Sequence, residues 1–217
     1  MNIIFDLDGT LIDSRDRLYA LFSDLVPEST LTFADYWAAK RAGVSNIELL
    51  TNNFKYTDGK LKSFHCKWMD QIESVHYLDF DTVHVGIEKM LESISDTANL
   101  FVCTARQNRD VAITQLNTLG LAKYFDMVLV TAQKVSKDQL ITKYISSLSR
   151  SDWIIGDTAH DIKVGKLVGL NTCAVNNGFL SSDVLKRYAP SMVIESVASL
   201  AISKLNECFL QLHLSSS

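Results

Sequence analysis

Short apolar runs recur along the chain at residues 3–5, 100–103, 127–130, 153–155, 172–175 and 192–194. Successive positions in each run are apolar, which predicts strands covered on both faces. Between the runs, segments such as 107–119 and 136–148 carry apolar residues near helical spacing. Strands of this kind alternating with helices predict an α/β core, a parallel sheet in three Rossmann-like layers. Such sheets bind ligands beyond the carboxyl ends of their strands. Four of the runs end there in polar or glycine-containing clusters.

One interval breaks the rhythm. From Asp13 to about Phe80 the pattern is helical only, over 15–25, 33–41, 45–54 and 58–75, punctuated by Pro27, Gly43 and Gly59. The pattern predicts a small all-α cap domain, residues 15–80, inserted into a core formed by 1–14 and 81–217. Residues 196–214 predict one amphipathic helix packed on the core, and Ser215–Ser217 is the one low-complexity tract.

Composition narrows the classes. The 217 residues are 47% hydrophobic, enough for a sizeable core. A net charge of −4 and the lack of a long basic block give no sign of a nucleic-acid partner. No window approaches the ~18 consecutive apolar residues of a membrane span, and no secretory signal pattern opens the chain. Cys66, Cys103, Cys173 and Cys208 lack Cys-x-x-Cys spacing, which favours reduced thiols over a zinc site. The expectation is a cytoplasmic protein, monomer or homodimer, without a membrane or nucleic-acid partner.

The first strand runs directly into Asp6-Leu7-Asp8-Gly9-Thr10. Extended backbone sends residues i and i+2 to one side, so Asp6 and Asp8 share a small volume while Gly9 permits a sharp turn. Two close carboxylates split their titrations, so one can serve as a nucleophile and the other as a general acid and base. The competing reading is an ordinary polar turn. Asp79-Phe80-Asp81 repeats the spacing without a following Gly-Thr and reads as a solvated connector.

The second strand ends in Thr104-Ala105-Arg106, where a hydroxyl and free backbone N–H groups suit a phosphoryl oxygen, or where Thr104 merely caps a helix starting near Gln107. Lys134 and Lys137 precede another helix. Gly156-Asp157 ends a fourth strand, with Asp161 one helical turn onward. Such carboxylates with open positions suit Mg²⁺.

These four clusters, in this order, resemble the motifs of the haloacid dehalogenase superfamily, its phosphatase branch. Leu119-Gly120-Leu121, Tyr124-Phe125-Asp126, Gly165 and Gly169 are similar to the phosphoglycolate phosphatase-like members, and the insert takes the place of their helical C1 cap. The resemblance implies a Mg²⁺-dependent phosphatase acting on a small phosphorylated metabolite. It implies that Asp6 attacks phosphorus to form an aspartyl-phosphate. Asp8 then protonates the leaving oxygen and activates water, its pKa raised by desolvation as the cap closes. Thr104 and the Ala105 amide hold phosphoryl oxygens, and Lys137, preferred over Lys134, neutralises developing charge. Asp6, Asp157 and the Asp8 carbonyl bind Mg²⁺, with Asp161 orienting a water or the lysine.

Lys40 and Arg41 fall where relatives place a substrate-contacting loop, against the alternative of cations at a helix C-terminus. Arg106 lines the pocket or lies on a helix surface. His160 reads as an exposed turn residue, Asn176-Asn177-Gly178 as a rim turn, and His65, His76 and His84 as structural. Other functions stay open: a phosphomutase, and a catalytically silent binding protein on the same fold. A C–halogen hydrolase fits less well, because such relatives lack the second aspartate that Asp8 supplies.

Overall fold

A computed structural model describes residues 1–214; Ser215–Ser217 lies outside the described residues. The chain opens with β1 (Asn2–Phe5) and β2 (Ile12–Asp13), then α1 (Arg15–Leu25), α2 (Phe33–Arg41), α3 (Asn46–Phe54), α4 (Asp58–Gln71) and α5 (Val75–Leu78). Next come β3 (Thr82–Val83), α6 (Ile87–Ser95), β4 (Asn99–Thr104), α7 (Arg109–Thr118), β5 (Met127–Val130), α8 (Lys137–Tyr144) and β6 (Trp153–Gly156). The order ends with α9 (Ala159–Leu167), β7 (Asn171–Val175), α10 (Ser182–Lys186), β8 (Met192–Ile194) and α11 (Ile202–Leu214).

Across the described residues a six-stranded sheet forms in the order β5-β4-β1-β6-β7-β8, and every pairing in it is parallel. The strand pleat divides β1 between two cores. Ile3 and Phe5 pack with Val102, Ile155 and Leu91 of α6, whereas Ile4 packs with Cys103, Leu140 of α8 and Val164 of α9. Each such buried side chain contributes about 1.5–3 kcal/mol over leaving it in water. A one-residue slip would reverse all of them, so the core fixes the register and thereby where β1 ends. The chain leaves β1 for β4 on one side and reaches β6 on the other, which opens a crevice at the carboxyl edge of β1.

Helices α1–α4 bury Phe22, Tyr36, Trp37, Leu50 and Phe64 in a cluster of their own, which Phe179 joins from the loop after β7. Thr32 with Asp35 and Ser45 with Glu48 form reciprocal capping boxes that start α2 and α3. Four segments depart from the sequence pattern. Short β2 and β3 pair antiparallel where the chain leaves and re-enters the core, and two-residue strands carry no periodicity. Segment 196–214 is not one helix: a 3-10 turn at Val197–Ser199 and an extended Leu200 precede α11. Segment 58–75 likewise ends as helix at Gln71, and 136–148 at Tyr144, before the left-handed Ser147.

Candidate active site

The carboxyl ends of β1, β4 and β6 deliver Asp6, Thr104 and Asp157 to one crevice. With Asp8, Arg17, Ala105, Arg106 and Lys137, Asp6 and Thr104 line a cavity of about 360 Å³, at the small end of the range for metabolite sites. Asp6, Asp157 and Asp161 are all buried, and each offers an oxygen within 4.8 Å of the others.

Glycines make that approach possible. Gly9 has φ +81°, and a Cβ there would lie 2.2 Å from Asp157 Oδ2. At Gly156 a Cβ would lie 2.3 Å from Asp161 Cγ. Gly9→Ala combines a left-handed conformation with that clash. It is expected to cost at least about 2 kcal/mol of stability, read as a drop in thermal midpoint, and to displace Asp157. A midpoint and activity equal to wild type would show that the loop relaxes freely.

Lys137 begins α8, where Ser136 and Gln139 form a capping box. Its side chain is only 3% exposed, and Nζ lies 2.6 Å from Asp6 Oδ1 and 2.7 Å from Asp161 Oδ1. Lys134 stands on the exposed loop before it. The other oxygen of Asp161 accepts from Thr158 Oγ1 at 2.6 Å, so its side chain is held at both ends. Asp157 accepts from Thr10 Oγ1 at 3.2 Å and from the Phe179 amide at 2.6 Å.

The electrostatics of these acids are unequal. Burial is the largest influence on Asp6 and lifts its carboxyl to about 7; Lys137 opposes the rise and Asp161 adds to it. Burial, then the charges of Asp6 and Asp161, push Asp157 well above the usual carboxylate range. Burial also works against ionisation of Asp161, but Lys137 outweighs it and holds that carboxyl low. Three hard oxygen donors in mutual repulsion, with one lysine among them, form a set that a small divalent cation would fit.

Asp8 differs from expectation. Its carboxylate is turned toward Arg17, which donates through Nη2, and Arg106, which donates from Nε at 2.6 Å and Nη2 at 2.7 Å. Burial alone would raise Asp8, yet the charges of Arg106 and Arg17 overcome it and keep the carboxyl well below its ordinary value. Desolvation therefore does not prevail here.

Asp81 is a further correction. It is no solvated connector: it is 6% exposed, with Oδ1 3.1 Å from Arg17 Nε and Oδ2 3.3 Å from Arg106 Nη2. Motif spacing assigns Asp81 to a connector and gives no signal for Arg17. An arginine on the first turn of an amphipathic helix looks solvated until the fold turns that face inward. Arg106 is likewise buried, away from any helix surface.

Other expectations distribute as follows. Thr104 Oγ1 accepts from the Arg106 amide, while Asn108 caps α7, which starts two residues later than the periodicity suggested. Arg41 donates to the carbonyls of Asn176 and Gly178 at 2.7 and 3.0 Å, joining α2 to the rim turn. Lys40 donates to Asn46 Oδ1 at 3.0 Å and sits over the Tyr36 ring. These contacts are structural, and neither residue lines the cavity that holds Asp6. Lys40 lines a neighbouring one with Trp68 and Phe179. His160 is exposed on the first turn of α9 and reaches the rim of the main cavity.

The family model described as haloacid dehalogenase-like hydrolase matches residues 3–175. The protein is 23% identical over 208 residues to Pyrophosphatase PpaX of Halalkalibacterium halodurans, covering 91% of this chain and 94% of that protein. Its fold is similar to a haloacid dehalogenase-like family hydrolase from Streptococcus pneumoniae, with TM-score 0.74 and 20% identity over 90% of this chain and 94% of that one. It is also similar to the β-phosphoglucomutase of Clostridium difficile, with TM-score 0.70 and 19% identity over 98% of both chains.

Proposed function

The chain belongs to the haloacid dehalogenase-like hydrolases, and on that premise we propose that it is a Mg²⁺-dependent phosphatase of small phosphorylated metabolites. The observation that carries the proposal is the convergence of Asp6, Asp157, Asp161 and Lys137 at one strand edge, with one oxygen of each carboxylate within 4.8 Å of the others. A curated relative named for pyrophosphate cleavage supports phosphoryl chemistry at such a site.

In this reading the free oxygen of Asp6 attacks phosphorus and the bond to the leaving oxygen breaks, giving an aspartyl-phosphate. Asp8 is the proton-transfer group. Ionised while Arg17 and Arg106 hold it, it accepts a proton from the water that cleaves the phosphoryl group from Asp6. It donates to the leaving oxygen only once substrate draws those guanidinium groups away and the carboxylate takes a proton from solvent. Lys137 holds Asp6 in place and offsets charge on the transferring group. Thr104 and Ala105 orient the phosphoryl oxygens. Asp6, Asp157 and the Asp8 carbonyl would hold Mg²⁺, which would supply charge neutralisation of the phosphoryl group. Asp161 positions Lys137, the partner that both of its neighbours share. The helical segment 15–80 acts as a cap over a core of 1–14 and 81–217, and closes the cavity through Trp68 and Met69.

Phosphate release from a panel of phosphorylated metabolites, with Mg²⁺ titrated, tests this reading. Asp157→Ala is expected to raise the half-saturating Mg²⁺ at least about tenfold, since removing one carboxylate donor weakens a hard-ion site strongly. An unchanged metal titration would remove Asp157 from the cation's coordination. The fold similarity to a β-phosphoglucomutase keeps one alternative, transfer from Asp6 to a second hydroxyl in place of water. Product analysis on a hexose phosphate distinguishes the two, because a mutase yields an isomer and a phosphatase yields inorganic phosphate.

A further inference from the structure

Away from the strand edge, the charges around the cavity are already matched. Arg17 and Arg106 are shared between Asp8 and Asp81, and Arg106 also feels the charge of Glu73, a further acid of the same cavity. Two cations against three carboxylates leave no positive charge for a second substrate anion. The neighbouring polar side chains are engaged as well. Glu73 accepts from the amides of Gln107 and Asn108 at 2.6 and 3.1 Å. Gln107 donates to the Met69 carbonyl at 2.7 Å, and Gln133 to the Ala105 carbonyl at 2.6 Å.

What remains open to contact on that side is apolar. Leu18 of α1, Trp68 and Met69 of α4, Ile72 just beyond it, and Phe179 from the loop after β7 line the cavity, and each is half-buried. In-line displacement by Asp6 sends the leaving oxygen away from β1, toward these helices. The apolar wall continues past the cavity: Leu18, Trp68 and Phe179 also line an adjoining one of about 330 Å³, together with Val44 and Leu180. Lys40, the one lysine there, donates to Asn46 Oδ1 at 3.0 Å and lies over the Tyr36 ring. Burial lowers its amine to about 8, so it too is a poor partner for a second anion.

Resting on the phosphatase reading, we propose that the leaving group of the substrate is uncharged and apolar, seated against Trp68, Met69 and Phe179. The substrate class is a monophosphate ester of a hydrophobic alcohol, and its phosphoryl group is the one anion that draws the guanidinium groups from Asp8. Burying an aromatic or branched hydrocarbon group against this wall raises affinity about tenfold or more over a leaving group that keeps its water. A charged leaving group has no partner there to offset its desolvation.

Equilibrium binding to the Asp6→Asn protein with Mg²⁺ tests this, because the leaving ability of each alcohol does not enter. Benzyl phosphate is expected to bind about tenfold or more tightly than each of glycerol 3-phosphate, 3-phosphoglycerate and phosphocholine. Trp68→Ala and, separately, Met69→Gln in the same protein are expected to bring the benzyl-to-glycerol ratio toward one. Should either variant fail to fold, the ratios in the Asp6→Asn protein still decide. A gap below about threefold to any of the three hydrophilic esters, a ratio that survives both substitutions, or no binding of benzyl phosphate overturns the apolar leaving group. Failure of the phosphatase reading shows elsewhere, as no phosphate release by the unaltered protein from any ester with Mg²⁺.

Discussion

Asp6→Asn is expected to fold as the wild type does and to lose turnover by at least about a thousandfold. An amide keeps the shape and can still accept from Lys137, so packing around the end of β1 survives. It cannot attack phosphorus as a carboxylate does, and loss of a covalent nucleophile is among the largest single-residue effects in catalysis. Burial also raises the Asp6 carboxyl to about 7, so replacing it with a neutral group relieves a desolvated charge. The thermal midpoint should therefore hold or rise, while kcat collapses. Comparing the two quantities in one preparation is the check: near-native kcat would exclude Asp6 as nucleophile, and a collapsed midpoint would make the loss one of folding.

Lys137→Met should damage both quantities. Nζ serves two buried carboxylates, Asp6 at 2.6 Å and Asp161 at 2.7 Å. Removing the shared cation leaves both acids uncompensated in the interior, a change that costs about 3–5 kcal/mol when one partner of a buried pair is deleted. Catalysis loses the group that offsets phosphoryl charge, worth roughly a hundredfold or more in kcat. A cation bound by the same acids would return part of the stability by mass action. Thermal melts with and without Mg²⁺ should thus show a larger metal-dependent gain for Lys137→Met than for wild type. Lys134→Met, on the exposed loop, is the matched comparison and should change neither quantity. Equal effects at the two lysines would remove Lys137 from the site.

Local signals in the sequence carried the framework because each was dictated by neighbours a few positions away. The apolar runs at 127–130 and 192–194 are strands with those bounds, and the helical patterns at 15–25 and 33–41 are helices with theirs. Asp6 and Asp157 are legible because each directly follows a buried strand, and Thr104 because it ends one; parallel strands end on one edge. Asp161 was legible from a helical turn's spacing to Asp157. Lys137 was preferred to Lys134 on pattern alone; its burial between Asp6 and Asp161 was not.

Pairings across the chain were decided elsewhere. Nothing near Arg17 in the sequence distinguishes it from the solvated arginines of an amphipathic helix, and Asp81 sits in a polar connector. Only the inserted helices, folded back on the carboxyl edge of the sheet, bring them to Asp8 and Arg106. There the sign of the shift at Asp8 is set: burial alone would raise its carboxyl, but the guanidinium groups of Arg106, from beyond the end of β4, and of Arg17, on the first turn of α1, hold it down. The amino-acid order determined which carboxylates reach the strand ends, because backbone geometry is local. Only the tertiary structure decided their charge partners, because Coulomb energy depends on distances and burial that exist once the chain is folded.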